Sequence, residues 1–224
     1  MRGVSHSDSL HDVMERVRRA LGRSGPTAAP PAPPEIPDPV VRLVHSPIGL
    51  PDLFNKRAAE MKMRVSSVSV DDLATELAIF LRETNSRRIM LSDTPLLRRL
   101  ELGDALDQAG FEARYWSGVT ADGAYDYDAG VSEVDYAVAE TGSLVIRHRP
   151  EHGRLLSLVP FVHVAVVDPA KLLPDLLDLF ETLSRDGVGS GVTIISGPSK
   201  TADIEMNVVT GVHGPNVVKA FILQ

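Results

Sequence analysis

At 224 residues the chain has room for one sizeable α/β domain with an appendage, and too little for two full domains. Hydrophobic residues make up 43% and charged residues 24%, the proportions of a globular protein with a buried core. The 23 Lys and Arg against 30 Asp and Glu, a formal charge of −7, argue against general nucleic-acid binding, which depends on neutralising phosphates. The absence of cysteine excludes disulfides, thiolate-held zinc, a cysteine nucleophile and thiolate-bound iron–sulfur clusters on this chain.

Residues 1–24 form the first predicted segment. Leu10, Val13, Met14, Val17 and Leu21 recur at helical spacing, so residues 7–21 read as an amphipathic helix, capped by Ser7 or Asp8 and ended by Gly22. Five Arg stand against Asp8, Asp12 and Glu15 there, a solvated basic face. Residues 25–39 are a proline-rich linker; seven of the fourteen residues from Pro26 to Pro39 are proline, which precludes a packed element. A helix beyond such a spacer has three places to bury its stripe: a partner surface, a neighbouring copy or its own domain. Charge from Ser5 to Arg19 is incompatible with a signal peptide, and no stretch approaches the roughly 18 apolar residues of a membrane span. A soluble cytoplasmic protein without membrane insertion is therefore expected.

Residues 40–224 read as an α/β domain. Pro51–Arg64 is predicted helical, residues 65–68 a strand, and Ser69–Thr84 a helix. Residues 87–93 form a strand ending at Ser92 and Asp93. Thr94 caps a helix from Pro95 to about Ala109, and residues 111–117 form the next strand. Thr120–Asp128 is a loop. Residues 135–140 run into a Thr-Gly-Ser turn and a strand, residues 162–168 are apolar enough to be buried on both faces, and Pro169 opens a helix through Leu183. Residues 192–197 read as a further buried strand and residues 217–223 as the last. Strands alternating with helices imply a mostly parallel sheet flanked by helices.

Three segments depart from plain scaffold. After residues 192–197 comes a small-residue turn and a predicted helix start, where Gly197, Ser199, Lys200 and Thr201 are placed to hold an anion. Helix capping by Ser199 or Thr201, with Asp203 and Glu205 complementing the dipole, explains the same residues. Asp203 and Glu205 point to opposite sides of a helix, so no metal is predicted. In residues 137–146, Glu140 interrupts an apolar run before the turn at Thr141 and Gly142. It is either a turn carboxylate accepting amides or a perturbed group able to serve as nucleophile or base. His213, between glycines in residues 211–215, reaches a cleft or is merely structural, whereas His163 reads as a satisfied core histidine. The turns after Ala139, Ser196 and Thr210 are expected to converge at one rim of the sheet around a small anionic ligand. No Ser-His-Asp order or dinucleotide fingerprint can be assembled.

Taken in order, residues 139–146, 153–168, 197–205 and 211–215 resemble the LUD (lactate-utilisation) family of the protein C type, most strongly from Asp128 to Gln224. The resemblance implies a fold like the sugar-phosphate isomerases and coenzyme A transferases (NagB/RpiA-like). It also implies a non-redox role beside two iron–sulfur subunits in bacterial oxidation of L-lactate to pyruvate, with no cofactor on this chain. Lys200 stands where relatives carry Arg, and Ser143 where Thr is common. Glu140-Thr141-Gly142 loosely echoes the nucleophilic Glu of some coenzyme A transferases. A stand-alone enzyme or sensor for a coenzyme A, nucleotide or folate-like ligand, and a pure interaction module, remain as alternatives.

Overall fold

The computed structural model describes residues 6–23, 31, 42, 44, 49–202, 208–210 and 214–224. The chain divides into two compact units, Met1–Val40 and Val41–Gln224. The described part of the first holds the helix α1 (His6–Ala20). Within this unit Val13, Met14, Val17 and Leu21 are 52%, 47%, 46% and 60% exposed. Among the described residues no helix is long and apolar enough to cross a membrane.

The second unit is layered. Its centre is a six-stranded sheet of β1 (Arg64–Val68), β12 (Val217–Leu223), β7 (Val162–Val167), β4 (Ala129–Glu133), β2 (Arg88–Leu91) and β3 (Glu112–Tyr115), in that spatial order. Every neighbouring pair is parallel. One face, with Ile89, Val131, Val164, Val166 and Phe221, packs on α3 (Leu73–Glu83) and on α4 and α5 (Pro95–Arg99, Leu102–Gln108). The other face, with Ala165, Val167, Ala220 and Ile222, meets α2 (Leu50–Glu60) and a second sheet. That sheet orders β8 (Leu172–Leu173), β5 (Tyr136–Val138), β6 (Ser143–Arg147) and β9 (Val192–Ile195). Its far face packs Val138 and Val145 on Leu179 and Leu183 of α7 (Leu176–Asp186).

The α/β architecture with its parallel sheet follows the sequence expectation, and several local features depart from it. The helix expected over Pro95–Ala109 breaks at Glu101, which adopts φ 48°. The Tyr115 hydroxyl fills the break, accepting from the Gly103 amide at 3.2 Å and donating to the Leu97 carbonyl at 3.2 Å. Those two bonds occupy backbone groups that a continuous helix would have paired internally. Helix α7 begins after Pro174 rather than at Pro169, because the Asp175 side chain caps it by accepting from the Leu177 and Asp178 amides. β9 pairs antiparallel with β6 and is only half-buried, so it is not a core strand of the parallel sheet. No helix starts at Lys200: Lys200–Ala202 is a strand, β10, paired antiparallel with β11 (Val208–Thr210). The β-branched Thr201, Val208, Val209 and Thr210 favour that pairing over a helix.

β4 was hidden by its small residues, and one of them is required. A Cβ on Gly130 would fall inside contact distance of the Leu156 carbonyl, in the short helix α6 (Leu155–Leu158) that crosses this strand. The opposing carbonyl is backbone, so it cannot swing aside. Gly130→Ala is expected to cost about 2 kcal/mol by overpacking, measurable as a lower urea midpoint; an unchanged midpoint refutes the close approach.

Candidate functional site

Two polar clusters lie at opposite edges of the parallel sheet. The sequence pointed to the first. The turns at Glu140–Gly142 and Ser196–Ser199 do meet: Ser143 Oγ and Ser196 Oγ are 2.6 Å apart, and Thr141 Oγ1 donates to Ser143 Oγ at 2.8 Å. The Ser199 amide donates to the Pro215 carbonyl at 2.9 Å, which brings in the segment after His213. His213 and Asp203 lie outside the described residues, as does the side chain of Thr201.

The cluster sits at the amino rim, not at the carboxyl rim where α/β sheets bind ligands. Pro215 precedes β12, and Met61, which leads into β1, is the neighbour of both Gly197 and Lys200. Gly142 has φ 62° and Gly197 φ 95°, and a Cβ on either would strike backbone at the end of α2, Ala58 or Met61. Only glycine satisfies both constraints. The Lys200 ammonium approaches the Met61 carbonyl at 3.5 Å, complementing the carbonyl end of α2. Glu140 is half-buried; its amide donates to the Pro174 carbonyl, and its carboxylate meets no partner among the described residues.

The second cluster occupies the carboxyl rim between β2 and β4. This is a topological switch point, since the chain leaves β2 for β3 on one side and leaves β4 for β7 on the other. Ser92, Thr94, Ser132, Glu133 and His152 are all buried there. Ser92 Oγ accepts from the Glu133 amide at 3.1 Å, and the Asp93 amide donates to the Glu151 carbonyl at 2.8 Å. Ser132 Oγ and His152 Nε2 are 3.1 Å apart. Lys171 donates to Glu133 at 2.6 Å. Arg98 holds the Asp93 carboxyl below the ordinary range.

A turn, Arg149–His152, roofs this crevice. Asp135 anchors it, accepting from Arg149 Nη1 at 2.7 Å, Arg147 Nε at 3.2 Å and the Arg147 amide at 2.8 Å. Burial, with the nearby Arg149 charge, lowers His152 to a pKa of about 3. Two buried polar atoms of this cluster have no partner among the described residues, Thr94 Oγ1 and His152 Nδ1. His163 is buried in the core as expected, but both its ring nitrogens are unpaired rather than satisfied. Among the described residues no three His, Asp or Glu are placed to hold a metal. Ser132 and His152 carry no local motif in the sequence. The available signal was polar residues at the exits of successive strands, Ser92-Asp93-Thr94 and Ser132-Glu133, followed by a histidine-bearing turn.

The fold and its clusters define a class: an α/β domain whose parallel sheet is backed by a second, antiparallel-rich sheet. The LUD domain family model matches residues 52–223, and the chain belongs to that family. It is 28% identical over 213 residues to lactate utilization protein C of Halalkalibacterium halodurans, covering 90% of this chain and 92% of that protein. It is 32% identical over 184 residues to the Escherichia coli protein YkgG, covering 77% and 78% of the two chains. A DUF162 family crystal structure from Deinococcus radiodurans superposes with a TM-score of 0.60 at 20% identity, over 80% of this chain and 99% of that one, which establishes shared fold.

Proposed function

We propose that this chain serves lactate utilisation as the non-redox subunit of a system that oxidises L-lactate to pyruvate beside iron–sulfur partner subunits in the bacterial cytoplasm. The observation that carries this reading is near-full-length similarity to a lactate utilization protein C in a chain with no cysteine. Oxidation of a 2-hydroxy acid releases two electrons, and thiolate-bound clusters that would accept them need cysteines from another chain. The apolar stripe of α1, Val13, Met14, Val17 and Leu21, supports docking to such a partner, since an amphipathic helix is stabilised by burying its apolar face.

The two rims differ in what they leave free. At the amino rim, Thr141, Ser143 and Ser196 bond one another and Lys200 faces a carbonyl. The half-buried Glu140 carboxylate stays open there, whereas the carboxyl rim keeps two fully buried atoms unpaired, Thr94 Oγ1 and His152 Nδ1, which a ligand can satisfy.

The test is purification of the tagged full chain from its native host. Cysteine-rich iron–sulfur proteins should co-purify in stoichiometric amounts, with visible cluster absorbance, and deletion of residues 1–39 should weaken their retention. Isolation of the chain alone, with normal growth of a deletion strain on L-lactate, refutes the reading.

A further inference from the structure

We infer that the crevice between the carboxyl ends of β2 and β4 binds a small carboxylate carrying a hydroxyl or oxo oxygen on its second carbon, with Thr94 and His152 holding that oxygen and Lys171 the carboxylate. The choice of acid rests on the lactate reading above; the place of binding rests on geometry alone.

Buried polar side-chain atoms are nearly always hydrogen-bonded, so two orphans on adjoining segments call for a missing partner. Thr94 is fully buried and occupies the N-cap position of α4, yet makes no capping bond. His152 is also fully buried. With Ser132 donating to Nε2, the neutral ring carries its proton on Nδ1, a donor that meets no acceptor among the described residues. The Thr94 and His152 segments are stitched together directly, through the Asp93 amide and the Glu151 carbonyl. Two donors facing no acceptor suit an oxygen.

The charges around the crevice select the rest of the ligand. Asp93 is taken by Arg98, and Asp135 by Arg147 and Arg149. Lys171 has three donors, one of them on Glu133, and its side chain is 33% exposed at the rim. It therefore has two further donors to offer a carboxylate, as a compact ammonium that can turn towards it. Entry requires the Arg149–His152 turn to lift, and the contacts holding it across the crevice are few: Asp93 to Glu151, Ser132 to His152 and Asp135 to Arg149.

The decisive variant is Thr94→Val, which keeps the shape and deletes the orphan hydroxyl. A hydroxyl with a structural partner is missed when removed; a buried one without a partner is better replaced by a methyl. The experiment is calorimetric titration of the full chain, and of any complex purified with it, with L-lactate, pyruvate and acetate. Saturable binding of lactate and pyruvate is expected, with acetate weaker by about tenfold, the worth of one hydrogen bond. Thr94→Val should weaken lactate by a similar factor while its melting temperature stays level or rises, and Lys171→Met should abolish binding of all three. Absence of saturable binding to the wild type, or wild-type binding by both variants, overturns the proposal. A binding chain with no iron–sulfur partner defeats the assembly reading alone, and a partnered chain that binds none of the three acids defeats this site alone.

Discussion

Lowering the pH from 7 to about 4 is expected to remove about 6 kcal/mol of folding stability, a large share of the roughly 5–15 kcal/mol of an ordinary domain. The cause is a pair of buried histidines. Burial, aided by the Arg149 charge, lowers His152 to about 3, and burial alone lowers His163 to about 4. An exposed histidine in the unfolded chain titrates near ~6.5. The folded state thus binds fewer protons, and stability is complete above that unfolded value and is lost as pH falls towards the folded values. A tenfold difference in proton affinity between the two states is worth about 1.36 kcal/mol, so each ring contributes about 3 kcal/mol across this interval. Urea midpoints measured from pH 7 to 4 should fall steadily, starting well above the range where exposed carboxylates titrate. His152→Gln and His163→Leu should each flatten about half of that slope, and His163→Leu should also stabilise the neutral protein by removing two unpaired nitrogens. A midpoint that holds level down to about pH 4.5 means the rings are solvated and these pockets are not as described.

Asp135→Asn is expected to destabilise the domain by about 3 kcal/mol, the low end for breaking a buried charge pair. The low end applies because Arg147 and Arg149 keep side-chain exposures of 26% and 35%, so water screens them once the carboxylate is neutral. Burial pushes the Asp135 carboxyl up, but the Arg147 amide and the Arg149 and Arg147 guanidiniums outweigh it and hold the group below its usual range. Its contribution is therefore present above the unfolded aspartate value near ~3.9 and is lost as pH falls through the folded one, beneath the histidine window. Because Arg149 begins the turn over the carboxyl rim, hydrogen exchange should quicken at residues 149–153 before the rest of the domain responds. Uniform quickening across the domain is the contrary result.

Much of the parallel sheet was legible, for a physical reason. Residues 89–91, 162–167 and 220–223 are apolar runs buried on both faces, and the helix around Leu73–Glu83 carries one clean stripe. The second sheet was harder to see. β9 has the same apolar composition as a core strand, and nothing local tells Val192–Ile195 that its partner runs antiparallel. β4 escaped because Gly130 and Ser132 weaken its hydrophobic signal, although both are placed by contacts across the fold. The meeting of the turns at Gly142 and Gly197 was legible from their small residues, while the turn after Thr210 lies outside the described residues. Which rim they occupy was not, since that depends on the pairing of β12 between β1 and β7. The carboxyl-rim cluster joins residues from four separate segments and leaves no compact motif.

That same placement of β12 governs how the protein reaches its native state. β1, at Arg64–Val68, has a single neighbour among the described residues of the sheet, and that neighbour is Val217–Leu223. Until the later strand arrives, the earlier one has no ladder to join, and its backbone amides and carbonyls stay open to other chains. Closing so long a loop makes assembly of this edge slow relative to the neighbouring β2, β3 and β4, whose pairings span shorter stretches. Newly made chains therefore pass through an interval in which one half of the sheet is built and a lone strand waits, a window for chaperone capture or aggregation.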